Sequence, residues 1–425
     1  VVIRLAGKAS AWQVELACPQ CGAPVVLAET DRILSCGYCK VRLGISYSDH
    51  FRYFLEPDGV DANSKEIIYV PYWRFKGIAY SCRGNTVEHR FVDSSLLAVK
   101  AAFAPNSLGF RPQALKLRLA SHATPGKFLK PALPLKKLIS RVIEYTNNPD
   151  GSEDPLPVYH HAFVGETTSL IYSPFYIENG SAYDAVLNKL PALAPSSHFD
   201  DSLAFDECPA WQIKFNPMMC PHCGWDLMGE ADAQVLLCRN CSSGWESSND
   251  GLKRINTTAI QSKEPDALYL PFWRIRAQIV GLQLNTYADL ARLCNLPRAI
   301  KKEWNERDLY FWLPAFKTPP QLILRLTRLI SVYQPSDGEL SENLPNASLF
   351  PATLPKSQAA LGLKAAIASM GVPKRTIFPR LPEISIKVNE YILVYIPFDT
   401  SGGELINHTM QIGISKATLQ FGRLI

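Results

Sequence analysis

The sequence predicts an α+β protein of two duplicated halves, each a small four-cysteine module followed by a mainly antiparallel β domain with one or two helices. Three observations predict it. CPQCGAPVVLAETDRILSCGYC at 18–39 and CPHCGWDLMGEADAQVLLCRNC at 220–241 each place two Cys-x-x-Cys pairs fourteen residues apart. IIYVPYWRFKG at 67–77 and ALYLPFWRIRA at 267–277 share Tyr-x-Pro-aromatic-Trp-Arg. Each half then closes on Tyr-x-Pro-Phe, in SLIYSPFYIENG at 169–180 and ILVYIPFDTSGG at 392–403. Landmarks repeating in one order over so long a period point to duplicated domains rather than a solenoid.

The expected order is a first cysteine module at 1–50, an α+β domain at 51–195, and an acidic, polar linker at 196–210. A second module at 211–250 and a second α+β domain at 251–425 follow. Upstream of the cysteines, Trp12-Gln13-Val14 matches Trp211-Gln212-Ile213. Inside the modules, Val25 to Leu27 and Val235 to Leu237 flank the polar turns Glu29-Thr30-Asp31 and Glu230-Ala231-Asp232. That is the pattern of a hairpin bringing two knuckles together. Pro71 and Pro271 place their aromatic runs at a sheet edge or a strand entry, because proline has no N–H for the ladder. Leu117 to Leu119 and Leu322 to Leu326 read as further strands. Leu135 to Tyr145 follows KPALP and Gln358 to Met370 follows PATLP, both with apolar residues at helical spacing. The last elements read as strand, turn, strand, turn: His161 to Val164, Gly165-Glu166, Thr168 to Ile177 and Glu178-Asn179-Gly180. The second half repeats them as Ile384 to Val388, Asn389-Glu390, Tyr391 to Phe398 and Ser401-Gly402-Gly403. NNPDGSEDPLP at 147–157 reads as an exposed loop.

With 47% apolar and 20% charged residues in 425, the composition is globular rather than disordered. No apolar run is long enough to span a bilayer as a helix. The formal charge of +5 falls close to neutral once eight thiolates and two dications are included, which lacks the basic excess of a dedicated nucleic-acid binder. Eleven cysteines, of which Cys82, Cys208 and Cys294 stand outside the pairs, do not read as a disulfide framework; a reducing cytoplasm fits them. The chain begins at Val1, which leaves an upstream targeting segment open.

Two Cys-x-x-Cys turns offer four thiolates in a tetrahedron, the preferred set for a closed, structural Zn²⁺ site. The expected ligands are Cys18, Cys21, Cys36 and Cys39 for one ion and Cys220, Cys223, Cys238 and Cys241 for a second. Cys18 to Gly22 and Cys220 to Gly224 read C-P-x-C-G, and in this the modules resemble the zinc-ribbon superfamily. With the Tyr-x-Pro-aromatic-Trp stretch that follows, the chain looks similar to uncharacterised bacterial zinc-ribbon proteins. The resemblance implies structural zinc and no particular activity. Dithiol redox cycling would leave the matched spacing unexplained, and no His-x-Glu element of a zinc deaminase is present.

Tyr69, Trp73, Arg74, Tyr269, Trp273 and Arg274 are the candidate binding surface, a platform on which bases or a partner peptide would stack; the alternative is that they pack each module on its domain. Three basic groups stand out: Lys116 to Arg141, Arg292 to Arg307, and Lys374, Arg375 and Arg380. They suit phosphates of nucleic acid or anionic lipid, or simply a solvated face. His160 and His161 fall on opposite faces of any strand and cannot readily share a ligand. No phosphate-binding loop, nucleophile elbow or His-Glu-x-x-His occurs. The expected function is therefore a non-catalytic, zinc-binding scaffold or adaptor with a protein partner. A nucleic-acid-binding ribbon protein and an enzyme with its site between the halves are the alternatives. Peripheral membrane contact has no amphipathic anchor to support it.

Overall fold

The computed structural model describes residues 13–47, 49–58, 60, 65–109, 111–121, 124–134, 137–142, 156–191, 194–206 and 213–422. The chain is mixed α/β and mostly strand, with few helices and one four-cysteine site in each half. Trp12, Trp211, Gln212 and Cys208 lie outside the described residues, as do residues 147–155 of the expected loop.

Each half is built on a pair of long antiparallel strands. In the first, Ile67–Arg83 pairs with Val158–Glu178 and, on its other side, with Thr86–Leu97. In the second, Leu268–Val280 lies between Ser385–Ser401 and the short Phe311–Pro314. Trp73 stands opposite Leu170, and Trp273 opposite Leu393. The indole N–H of Trp73 donates to the Leu133 carbonyl at 3.3 Å, and that of Trp273 to the Leu354 carbonyl at 2.9 Å. The Leu129 N–H donates to Tyr69 O, and the Phe350 N–H to Tyr269 O, at 2.9 and 2.8 Å.

Several sequence expectations are corrected. Gly165-Glu166 and Asn389-Glu390 are not turns; each long strand runs straight through, with one extra residue forming a bulge between Gly165 and Thr167 and between Val388 and Glu390. The turns at Glu178-Asn179-Gly180 and Ser401-Gly402-Gly403 do form, with Asn179, Gly180 and Gly402 at positive φ. Pro71 and Pro271 sit neither at a sheet edge nor at a strand entry. Their carbonyls accept from Ala98 and Ala315, just where the flanking strand stops, so the missing N–H forfeits no ladder bond. Leu322 to Leu326 belong to the helix Pro320–Tyr333, whose buried Leu322, Ile323, Leu326 and Ile330 lie along one helical face. Leu117–Leu119 is a strand, Lys356–Met370 is a helix, and residues 137–142 are helical within the expected span.

The expected linker at 196–210 is stitched into the first domain over its described part. Phe199 is buried, Lys130 N–H donates to Ala204 O, and Asp206 N–H donates to Phe128 O. The halves are also not separate bodies. Lys214–Pro217 pairs antiparallel with Arg42–Ser46 of the first module, so the boundary at 211 cuts through a shared sheet. Ile78, Tyr80, Cys82, Ala162 and Val164 of the first half share one apolar core with Trp273, Leu363 and Leu393 of the second. The helix Lys356–Met370 sits at this junction. Its Gln358 side chain accepts from the Gly165 N–H at 2.9 Å, and a Cβ on Gly362 would lie 3.2 Å from Val164, so glycine permits the close approach. Among the described residues no helix is long and apolar enough to cross a membrane.

Candidate metal centre

Each cysteine pair sits on a tight turn. Gly22 and Gly224 both take φ of 73°, and their N–H groups donate back to the carbonyls of Cys18 and Cys220 at 2.8 Å. A side chain there would be strained, which accounts for the trailing glycine of both motifs. The single hairpin expected to join two knuckles is not the arrangement in the first module. There Gln13–Ala17 pairs with Pro24–Ala28 around Cys18 and Cys21, while Ile33–Ser35 pairs with Arg42–Ser46 around Cys36 and Cys39. Each knuckle is thus the turn of its own hairpin. In the second module a bridge between Met228 and Leu237 does join the two arms.

In each group the four sulfurs lie within 4.8 Å of one another. Cys18 and Cys39 are 3.8 Å apart, Cys21 and Cys36 3.6 Å, Cys220 and Cys241 3.6 Å, and Cys223 and Cys238 3.5 Å. A tetrahedron with metal–sulfur bonds of about 2.3 Å has sulfur–sulfur edges of about 3.8 Å, whereas a disulfide needs about 2.05 Å. The spacing therefore suits a shared cation and not a crosslink. The electrostatics agree. The Cys39 N–H, the first of several groups acting on it, pulls Cys36 down to about 6. Burial would raise Cys220, but the Ser243 hydroxyl and the N–H groups of Cys223 and His222 bring it to about 6. The Val41 N–H favours the Cys39 thiolate, yet local desolvation of its sulfur and the adjacent thiols of Cys21, Cys36 and Cys18 push it up to about 12. Cys238 rises to about 12, chiefly through burial. Cys223 is lowered as well, first by the Asn240 side chain, so each group holds at least one readily ionised thiol; the full set needs a bound cation to offset like charge. Both four-cysteine groups fit a metal ion with no position left over for a substrate.

The two modules meet at their tips. Arg32 and Ile33 N–H groups donate to Ala231 O at 2.7 and 3.1 Å, Arg42 donates to Gly229 O at 2.6 Å, and Ile33 enters the apolar core of the second module. Beside this contact, burial and the neighbouring Asp232 raise the Asp31 carboxyl above its usual range.

The stacking platform expected at Tyr69, Trp73, Arg74, Tyr269, Trp273 and Arg274 is not exposed. All six are buried, at 3, 7, 1, 2, 1 and 5% exposure. Alternation sends Tyr69, Trp73 and Phe75 to one face of their sheet and Ile68, Val70 and Tyr72 to the face that shares a core with the first cysteine module. Arg74 is paired with Asp93 and lies 3.6 Å from Glu29. Arg274 bonds Asp337 at 2.5 Å and stacks 3.5 Å over Tyr310. These residues hold the interior.

Other candidates resolve in the same direction. His160 stands opposite Cys82 and His161 opposite Ser81, whose hydroxyl lies 3.0 Å from His161 Nδ1. Cys82 and Cys294 are buried, and burial pushes the Cys82 thiol up to about 12. In the first basic group Lys116, Arg118 and Lys127 pair with Glu15, Glu56 and Glu66. Arg292 bonds Asp289, Arg307 bonds Gln334 O, and Lys374 bonds the carbonyls of Ala368 and Ser369. A cavity at the junction of the halves, lined by Gly77, Val164, Phe316 and Ile323, measures about 30 Å³, room for roughly one water.

Two features have no counterpart in the sequence expectations. Ser243 approaches the sulfurs of the second group and Trp245 bonds its hydroxyl, a placement whose only signal is their alternate positions after Cys241. Met219, Trp225 and Met228 of the second module are more than half exposed. Comparison with models of known protein families, with curated sequences and with solved structures finds no match to this chain.

Proposed function

We propose that the protein is a non-catalytic scaffold or adaptor whose two duplicated halves are each stapled by a structural Zn²⁺, and that it works by binding another protein. Cys18, Cys21, Cys36 and Cys39 would hold one ion, and Cys220, Cys223, Cys238 and Cys241 the other. Zinc would supply the crosslink that these small modules cannot obtain from buried surface. Duplication is supported by the matched strand pairs, the matched bulges and the two indole–carbonyl bonds.

The observation that carries the interaction reading is the exposure of Met219, Trp225 and Met228 around the first knuckle of the second module, at 55, 59 and 51%. Large apolar side chains left exposed on a rigid element are the usual anchor of a protein interface. Co-purification with the parent chain and with Met219→Ser/Trp225→Ser tests this. A partner retained by the parent and lost by the variant, with metal content unchanged, is expected. A parent that stays strictly alone, or a variant that keeps every partner, would remove the reading.

A further inference from the structure

We infer that Ser243, oriented by Trp245, donates a hydrogen bond to the sulfurs of the second cysteine group, and that this donor makes the second centre the retentive one and the first the exchangeable one. The inference rests on the metal-binding reading of both groups and goes beyond it, because it distinguishes two sites whose ligand sets are identical.

Geometry carries the inference. The Ser243 hydroxyl lies 3.0 Å from Cys241 Sγ and 3.5 Å from Cys220 Sγ. The indole Nε1–H of Trp245 donates to the same hydroxyl oxygen at 2.8 Å. An indole only donates, so the oxygen is the acceptor in that bond. The hydroxyl proton is then left for sulfur, and a metal-bound thiolate can only accept it. Ser243 and Trp245 are both buried, at 3 and 7% exposure, so water does not compete for the bond.

The backbone fixes this arrangement. Ser243–Ser248 is a strand, so residues 243 and 245 face the same side. Between them, a Cβ on Gly244 would fall 2.2 Å from Thr257 Oγ1, which shows how closely the opposite side is packed. In the first module the corresponding positions are Val41 and Leu43, which carry neither hydroxyl nor side-chain N–H. Cys21 and Cys39 there are exposed, whereas Cys223 and Cys241 are half-buried. Partners beyond the ligands orient them and typically change metal affinity by about 10- to 100-fold.

The test uses the full chain. Metal analysis comes first, since a parent that binds no metal overturns the metal-binding reading itself rather than the role of Ser243. With two zinc ions bound, release to a chromogenic chelator is expected in two phases, and Cys39→Ser is expected to remove the fast one. Ser243→Ala should speed the slow phase about tenfold and leave the stoichiometry at two. Ser243→Thr, which keeps the hydroxyl, should restore it. In the Co²⁺-loaded protein, loss of the hydrogen bond should move sulfur-to-metal charge transfer of one centre to lower energy. Trp245→Phe, which removes the orienting N–H together with part of the ring but keeps the Ser243 hydroxyl, should give a smaller shift in the same direction. An unchanged Co²⁺ spectrum in Ser243→Ala, or alanine and threonine variants with equal release rates, would overturn the inference.

Discussion

The two halves share a strand core and differ in what covers it. In the first, Thr86–Leu97 runs beside the central strand for twelve residues, and the first cysteine module joins the same sheet, through Gln13–Ala17 against Leu117–Leu119. In the second, the flanking strand shrinks to Phe311–Pro314, and the helix Tyr287–Leu293 falls in the intervening segment. The second module forms its own three-stranded sheet, fastened by Arg239 to the carbonyls of Pro345 and Ala347 and by Gln234 N–H to Ala352 O. The helix Pro320–Tyr333 packs on the strand face that in the first half meets the cysteine module. The difference teaches that the long strand pair is the constant element, and that the modules are attached to it by unlike means.

The largest break in this comparison should come from the cysteines. Cys36→Ser and Cys238→Ser should each lower metal content from two ions to one, and chelation of both should unfold the modules. Because a structural site contributes about 10 kcal/mol or more to small zinc domains, a broad, early unfolding transition is expected in calorimetry. Equal metal content in parent and variants would break the assignment.

Next in size are the paired tryptophans. Trp273→Ala should cost about 4–5 kcal/mol and Trp73→Ala about 3 kcal/mol in denaturant unfolding, since Trp273 is more deeply buried and makes the shorter bond. The reverse order would mean that the second core relaxes around the cavity better than the first.

The arginines should differ more sharply. Arg74→Met removes the guanidinium that pairs with Asp93 and lies beside the buried Glu29, at a cost of about 3 kcal/mol. Arg274→Met releases the exposed Asp337 and removes the stack over Tyr310, and should cost less, about 1–2 kcal/mol. Matching losses would show that the two pairs are equivalent after all.

The remaining contrast is a pH dependence at the junction. Burial, followed by the charges of Lys364 and His161, lowers His160 from 6.5 to about 4. The unfolded chain therefore binds this proton first, so the stability tied to the neutral ring is full above pH 6.5 and is lost as pH falls towards 4. His160→Asn should flatten that part of the stability profile by about 3 kcal/mol relative to the parent. Parallel profiles for the two would show that His160 does not titrate differently on folding.

Much of this was legible in the sequence where chemistry is local. Eight cysteines and two glycines define their turns within five residues, and the alternating aromatic runs define strands. Leu322 to Leu326 misled because a five-residue window of LILRL does not separate helix from strand; the buried set becomes helical only when Ile330 is included. Gly165-Glu166 looked like a turn, yet a bulge uses the same residues when a partner strand spans both sides. The pairing of Arg42–Ser46 with Lys214–Pro217 had no local signal, since it depends on two segments far apart in the chain. Tyr69, Trp73 and Arg74 carried the ambiguity of any amphipathic side chain, and only the sheet neighbours reveal that they point inward.

That long-range pairing gives synthesis of the protein a clock. Arg42–Ser46 leaves the ribosome with one edge open, and its partner strand follows roughly 170 residues later, on the order of ten to thirty seconds at usual elongation rates. During that interval the nascent first half presents an unpaired β edge beside a cysteine cluster. Its maturation is completed by the second half, so translation speed between residues 46 and 214 sets how long that edge is open to the wrong partner.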